Sequence, residues 1–151
     1  MPWITLTAED LNDYLAAPQV SALRTAALAA GQGDPFDEIM PDVVSRERLK
    51  IESCARNRLS ATPNSIPPEL KWAACYLILE AMQLRIPTLR LTKDQQAQAM
   101  RAVDELNRVA ACKDVVTAPD DPLEPSSQRG GQIEVVRKSK GLATRESLAG
   151  L

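Results

Sequence analysis

The chain has 151 residues, enough for one compact domain or one domain with an arm. Its 18 Lys+Arg nearly cancel 20 Asp+Glu, leaving a formal net charge of -2, so no overall attraction to nucleic acid or to an anionic membrane is expected. Histidine is absent, which removes the commonest general base and metal ligand; aromatic residues are 3%, which leaves Leu, Ile, Val, Met and Ala to fill the core and suits packed helices better than sheets.

The N-terminal run Met1-Pro2-Trp3-Ile4-Thr5 has no basic region leading into an apolar stretch, so no secretory signal is expected. A first helix follows, capped by Thr7 with Asp10 at its third position, and Leu6 and Leu11 are spaced as a hydrophobic staple. It should run to Ala16, before Pro18 opens a second helix with Val20, Leu23, Ala27 and Ala30 on one face and Gly31 and Gly33 at its end. Asp34 caps a third helix, with Pro35 in its first turn. Its apolar positions are Ile39, Met40, Val43, Val44, Ile51, Cys54, Ala55 and Leu59, interrupted by Glu47, and Arg46, Arg48, Lys50 and Arg56 form a charged opposite face. Pro41 removes a backbone donor inside this pattern, so a break is expected near Met40, then a long helix from Asp42 to Leu59.

Residues 60–67 read as a loop. Pro68 and Glu69 open a segment that is apolar nearly all round, from Leu70 through Trp72, Ile78 and Met82 to Leu84, as a central buried helix should be. It is interrupted by Lys71, Glu80 and Arg85, and nothing in the chain approaches the roughly 18 apolar residues of a membrane span. Thr92 and Gln95 form a capping box for the last long helix. Its expected buried stripe is Met100, Val103, Leu106, Val109 and Ala110, with Asp104 and Arg108 paired outside. The fold class this implies is all-α: a small bundle of four to five helices over residues 1–113.

After Lys113 the composition changes. Residues 114–128 hold acids and prolines and no bases, and read as a linker. Residues 129–151 form a basic C-terminal arm with Arg129, Arg137, Lys138, Lys140 and Arg145. Within it Gln132 to Val136 reads as a short strand and Thr144 to Leu148 as a helical turn, neither able to fold alone. Removing residues 114–151 is therefore expected to leave the helical body folded.

A search for chemistry finds none. Glu9-Asp10 suits a helix N-terminus, while Asp104-Glu105 and Asp120-Asp121 lie on an exposed face and in the linker, without the apolar setting that splits two carboxyl pKa values. Cys54, Cys75 and Cys112 are far apart in apolar stretches and read as buried free thiols; their odd number points to a reducing compartment. No phosphate-cradling glycine loop is present, and a single Arg129-Gly130-Gly131 reads as a joint. No enzyme activity, catalytic residue, cofactor or metal is expected. The candidate functional residues are contacts for partners: Trp3, which either packs locally or anchors a partner, and Arg129, Ile133, Val135, Arg137, Lys138, Lys140, Arg145 and Leu148 of the arm.

The order of segments resembles the head–tail connector (neck adaptor) proteins of long-tailed phages and prophages. The similarity lies in Trp3-Ile4-Thr5-Leu6-Thr7, Leu23-Arg24-Thr25-Ala26-Ala27-Leu28, Cys54-Ala55-Arg56-Asn57-Arg58-Leu59, Ile66-Pro67-Pro68-Glu69-Leu70-Lys71 and Arg85-Ile86-Pro87. In the arm it lies in Ile133-Glu134-Val135-Val136 and Ala143-Thr144-Arg145-Glu146. Pro41 departs from the continuous helix the family implies. The resemblance implies a homo-oligomeric ring, a dodecamer, joining the capsid portal to the next neck or tail-completion protein around the DNA channel. DNA would be cargo only, no membrane would be involved, and the protein would reside in the virion neck after assembly in the host cytoplasm. The alternative is a small helical regulatory protein whose basic arm binds nucleic acid.

Overall fold

The computed structural model of the protein describes residues 2–15, 18–22, 25, 31, 33–85 and 90–124. The body is mostly helical, built on α1 (Pro35–Glu52), α2 (Lys71–Arg85) and α3 (Lys93–Ala110), which pack against one another. Before them come strand β1 (Ile4–Thr5), a 3-10 helix at Ala8–Asp13 and helical residues 18–22; between α1 and α2 lie strand β2 (Ser65–Ile66) and a 3-10 turn at Pro68–Leu70.

The all-α expectation holds for the class and misses this small sheet. β1 and β2 run antiparallel, with Ile4 opposite Ile66 and Thr5 opposite Ser65. Two residues per strand are too few for a hydrophobic alternation to show in a sequence. The pairing is sustained from outside, because Ile66 is fully buried and Arg48 holds the Ser65 carbonyl.

The first helix is shorter and tighter than its pattern suggests. The Asp10 carboxylate accepts from the Thr7 amide (2.7 Å) and hydroxyl (2.9 Å), and the staple residues Leu6 and Leu11 are both buried in one cluster. Tyr14 and Leu15 then turn back onto Leu11, which ends the helix at Asp13. In the next segment Val20 is buried, while Leu23, Ala27 and Ala30 lie outside the described residues. Gly31 has φ +69, a left-handed conformation that glycine adopts without steric cost.

α1 begins as expected, with Asp34 Oδ1 accepting from the Phe36 amide (3.0 Å) and Pro35 in the first turn. The break expected near Met40 is absent. Pro41 stands inside a continuous helix, where it forfeits one backbone hydrogen bond while Ile39, Val43 and Val44 bury the same face. The helix stops at Glu52, not Leu59. The Asn57 side-chain amide donates back to the Ile51 carbonyl (3.3 Å), and Cys54 is drawn away to Cys112.

Two hydrophobic clusters fill the body. Leu6, Leu11, Phe36, Ile39, Val44, Ile66, Ile78, Leu79 and Met82 belong to the larger; Trp3, Ile51, Leu70, Leu106, Val109 and Val116 form the smaller. Leu77 packs against both. Each fully buried aliphatic side chain contributes about 2 kcal/mol. α2 runs through the centre as its composition suggests, although Trp72 is only half-buried, edge-on to Tyr76 at 6.4 Å.

α3 keeps its capping box, Thr92 and Gln95 exchanging bonds of 2.9 and 3.2 Å. Its buried stripe is Ala99, Ala102, Leu106 and Val109. Met100 is 70% exposed and Val103 43%, so the stripe expected through them is rotated. Ala99 and Ala102 are buried on this helix while the larger Met100 and Val103 stay outside. Arg108 reaches past its own helix to Asp114 at 2.7 Å, where a pairing with Asp104 is expected from spacing.

The chain after α3 is part of the body as far as it is described. Val116 is buried, its amide donates to Asn57 Oδ1 (3.2 Å), and the Leu123 amide donates to the Leu59 carbonyl (2.6 Å). The composition break after Lys113 therefore does not mark the edge of the packed structure. This strap, residues 114–124, is fixed by buried Val116 and by the carboxylate of Asp121 together.

Candidate functional site

Two consecutive residues of α1, Glu47 and Arg48, stand about 100° apart round the helix and meet different surroundings. Arg48, expected on a solvated face, is half-buried and fully used. Its Nη1 donates to the carbonyls of Ser65 (2.7 Å) and Thr62 (3.2 Å), and its Nη2 donates to that of Ser60 (2.7 Å). Its guanidinium also stands 5.7 Å from the centroid of the Trp3 ring. Burial presses its pKa down, and the charges of Asp121 and Glu52 work against that shift.

Asp121 completes this node. Its carboxylate accepts from the Ser60 hydroxyl (2.7 Å), the Thr62 hydroxyl (2.7 Å) and the Thr62 amide (3.1 Å). These bonds, led by Thr62 and Ser60, hold the carboxyl below its ordinary value. Trp3 belongs to the same side. It is buried in the smaller cluster and its Nε1 donates to the Thr117 carbonyl (2.9 Å), so of its two sequence readings the structure has local packing.

A disulfide closes this end of the molecule. Cys54, just beyond α1, is bonded to Cys112, just beyond α3, with Cα atoms 5.2 Å apart. The reading of all three cysteines as free thiols is corrected, and with it goes the ground for inferring a reducing compartment. Only Cys75 is free, and burial pushes its thiol up to about 12, which keeps it protonated and unreactive. Cys112 sits at φ +56 in a Schellman turn: its amide bonds the Val109 carbonyl and the Lys113 amide bonds that of Arg108. A glycine is the usual occupant of that position, and the cross-link is what a glycine would forgo. The Arg56 guanidinium also caps the Cys112 carbonyl.

The Glu47 side is different in kind. Glu47 is completely buried, and neither carboxylate oxygen has a hydrogen-bond partner among the described residues. Burial raises its pKa to about 8, so it holds its proton at neutral pH. It lines a groove of about 330 Å³ between the three helices, together with Leu77 and Leu84 of α2, Val103 of α3, and Arg46 and Lys50 at the rim. Lys50 Nζ donates to Asn107 Oδ1 (3.0 Å) across this rim. Leu84 is 85% exposed, and Met100 continues the apolar surface one turn from Val103.

Of the candidate partner contacts, Arg129, Ile133, Val135, Arg137, Lys138, Lys140, Arg145 and Leu148 lie outside the described residues, as does the expected strand at Gln132 to Val136. The described residues contain no group of three or more His, Cys, Asp or Glu that could hold a metal, and no helix long and apolar enough to cross a membrane. Sequence reasoning passed over both members of the α1 pair. Glu47 was legible as a lone acid at an apolar helical position; Arg48 carried no signal beyond its charge. Compared with protein-family models, with curated proteins and with solved structures, the chain matches none.

Proposed function

We propose that this protein is a non-enzymatic structural adaptor of the phage neck, a homo-oligomeric ring joining the capsid portal to the next neck or tail protein. The observation that carries the reading is the meeting of segments that resemble such proteins. Ile4, in one of them, pairs with Ile66, in another, across the small sheet. Asn57, from a third, holds Val116 of the strap, and Trp3 of the first holds Thr117. Three of these segments are thus joined to one another or to residues 116–117, which supports a common framework.

Charge and surface fit the same role. A near-neutral chain suits a channel through which DNA slides without sticking, and an arm of basic and apolar residues after a strap suits reach onto the portal or a neighbouring subunit. An arm that orders only on docking forfeits some affinity to that ordering, and repetition round a ring compensates by multivalency.

Negative-stain electron microscopy and mass photometry of the full chain, alone and mixed with a portal protein, test the reading. Closed rings that bind portal, with little affinity for DNA, are expected. A monomer or dimer that binds DNA tightly at about 50 mM salt and loses it by about 200 mM would overturn the adaptor in favour of the nucleic-acid regulator.

A further inference from the structure

Two faces of the body, on opposite sides of α1, expose apolar side chains and carry complementary charge. Two residues along an α-helix turn it by about 200°, so Arg46 and Lys50 both point away from Arg48. Glu52, four residues on from Arg48, returns to the Arg48 side. On the Arg46 side lies the groove of about 330 Å³ between the three helices. Leu84, 85% exposed, and Val103 wall it, Arg46 and Lys50 line its α1 edge, and Glu80 stands on its α2 edge. Glu47 lies beneath with both oxygens buried, so it offers nothing to a docking group.

On the Arg48 side lies a hollow of about 280 Å³ whose lining includes Leu49, Glu52, Leu59 and Pro63. Leu49 is 62% exposed. Leu123, 49% exposed, joins this face through the bond of its amide to the Leu59 carbonyl. From Val115 to Glu124 the strap that brings Leu123 here holds Asp120, Asp121 and Glu124 and no base, and Glu52 adds another acid on the same side. Arg48 itself is turned onto the carbonyls of Ser60 and Ser65.

We infer that the groove of each subunit receives the face of Leu49 and Leu123 of a second copy of this chain. The two leucines sit against Leu84 and Val103, and the acids of the strap and Glu52 lie along Arg46 and Lys50. The inference deepens the ring reading and rests on it. Covering the exposed leucines supplies the attraction. The charges add little affinity at an exposed rim, but they fix which faces meet and in what orientation. Faces that match each other from opposite sides of one body join head to tail, and such contacts close into a ring when the rotation between copies permits.

The test is sedimentation velocity of the full chain and of variants that spoil one face each. Leu84→Asp spoils the groove and Leu49→Asp the other face; both side chains are exposed, so the fold should survive. Each variant alone should sediment as single chains. An equal mixture should form a species of two chains, because one copy keeps an intact groove and the other the face that fits it. Val103→Asp and Leu123→Asp, on the same two faces, should give the same results. Adding R46E and K50E to the Leu49→Asp copy should weaken the mixed pair at least tenfold. A variant that assembles alone as the wild type does, a mixture that stays as single chains, or a pair indifferent to R46E and K50E would each overturn the inference. Closed wild-type rings beside any of these results would leave the adaptor standing and remove only this contact; a wild-type chain that stays single at every concentration would remove both.

Discussion

Arg48 and Glu47 are adjacent on α1, yet one is among the best-served side chains in the molecule and the other among the worst. Arg48 reaches three backbone carbonyls and faces Trp3. Around it segments distant in the chain are tied together by Asp121, by the Trp3 indole and by the Cys54–Cys112 bond. On the Glu47 side the same three helices leave an open groove, exposed leucine and valine, and a carboxyl without a partner among the described residues. One side is finished by the chain's own described residues. The other keeps a buried acid and exposed apolar side chains that no described residue covers.

The largest expected effect comes from the unfinished side. Glu47 keeps its proton in the fold up to about pH 8, whereas the unfolded chain releases it near 4.5, so between those values the native state binds more protons. Stability contributed by the protonated acid is full below pH 4.5 and declines as pH rises, by up to about 4–5 kcal/mol at pH 8. Glu47→Met should therefore stabilise the dilute protein at pH 8 by several kcal/mol and flatten its pH profile in urea unfolding. A loss of stability on this substitution would mean that Glu47 already has a partner within its own subunit.

The finished side should respond oppositely, since every removal there breaks something. Cys54 and Cys112 close a loop across 58 residues, and opening it by C112S should cost about 4 kcal/mol. C112G should cost about 1 kcal/mol less, because glycine accepts the left-handed turn that serine does not. Arg48→Met leaves three carbonyls without their donor and should cost about 3 kcal/mol by the same unfolding measurement. The two losses should fall short of additive, as both act on the framework that holds residues 54–65.

Removal of residues 125–151 gives the smallest effect, and its comparison with a longer truncation gives the sharpest boundary. Deleting residues 125–151 should change thermal stability by no more than about 0.5 kcal/mol. Deleting residues 114–151 should cost about 3 kcal/mol, because it removes buried Val116 and the bonds of Thr117 and Asp121. Equal melting curves for the two truncations would return the edge of the body to Lys113, where composition alone puts it.

Much of the fold is legible in the sequence because local chemistry decides it. Asp34 with Pro35, and Thr92 with Gln95, fix helix starts through bonds made within three residues. The central helix declares itself by apolar residues on every side. What stays hidden depends on residues distant in the chain. The Cys54–Cys112 bond, the β1–β2 pairing and the Asp121 node join positions 58 or more residues apart, and spacing carries no mark of them. Pro41 misleads in the opposite direction, since a rule about one lost hydrogen bond is outweighed by the packing of the whole α1 face. Met100 and Val103 are apolar at helical spacing and still face outward, because periodicity finds an apolar face without revealing whether its partner lies in the same chain.

The most direct measurement is the pH dependence of urea unfolding of the wild-type chain beside that of Glu47→Gln. The wild-type protein should lose stability steadily from about pH 5 to pH 8, because the fold holds Glu47 protonated where the unfolded chain releases the proton, and Glu47→Gln should remove most of that slope. A wild-type profile that is flat, or one that Glu47→Gln leaves unchanged, would contradict the account of Glu47 as a buried, unpaired acid.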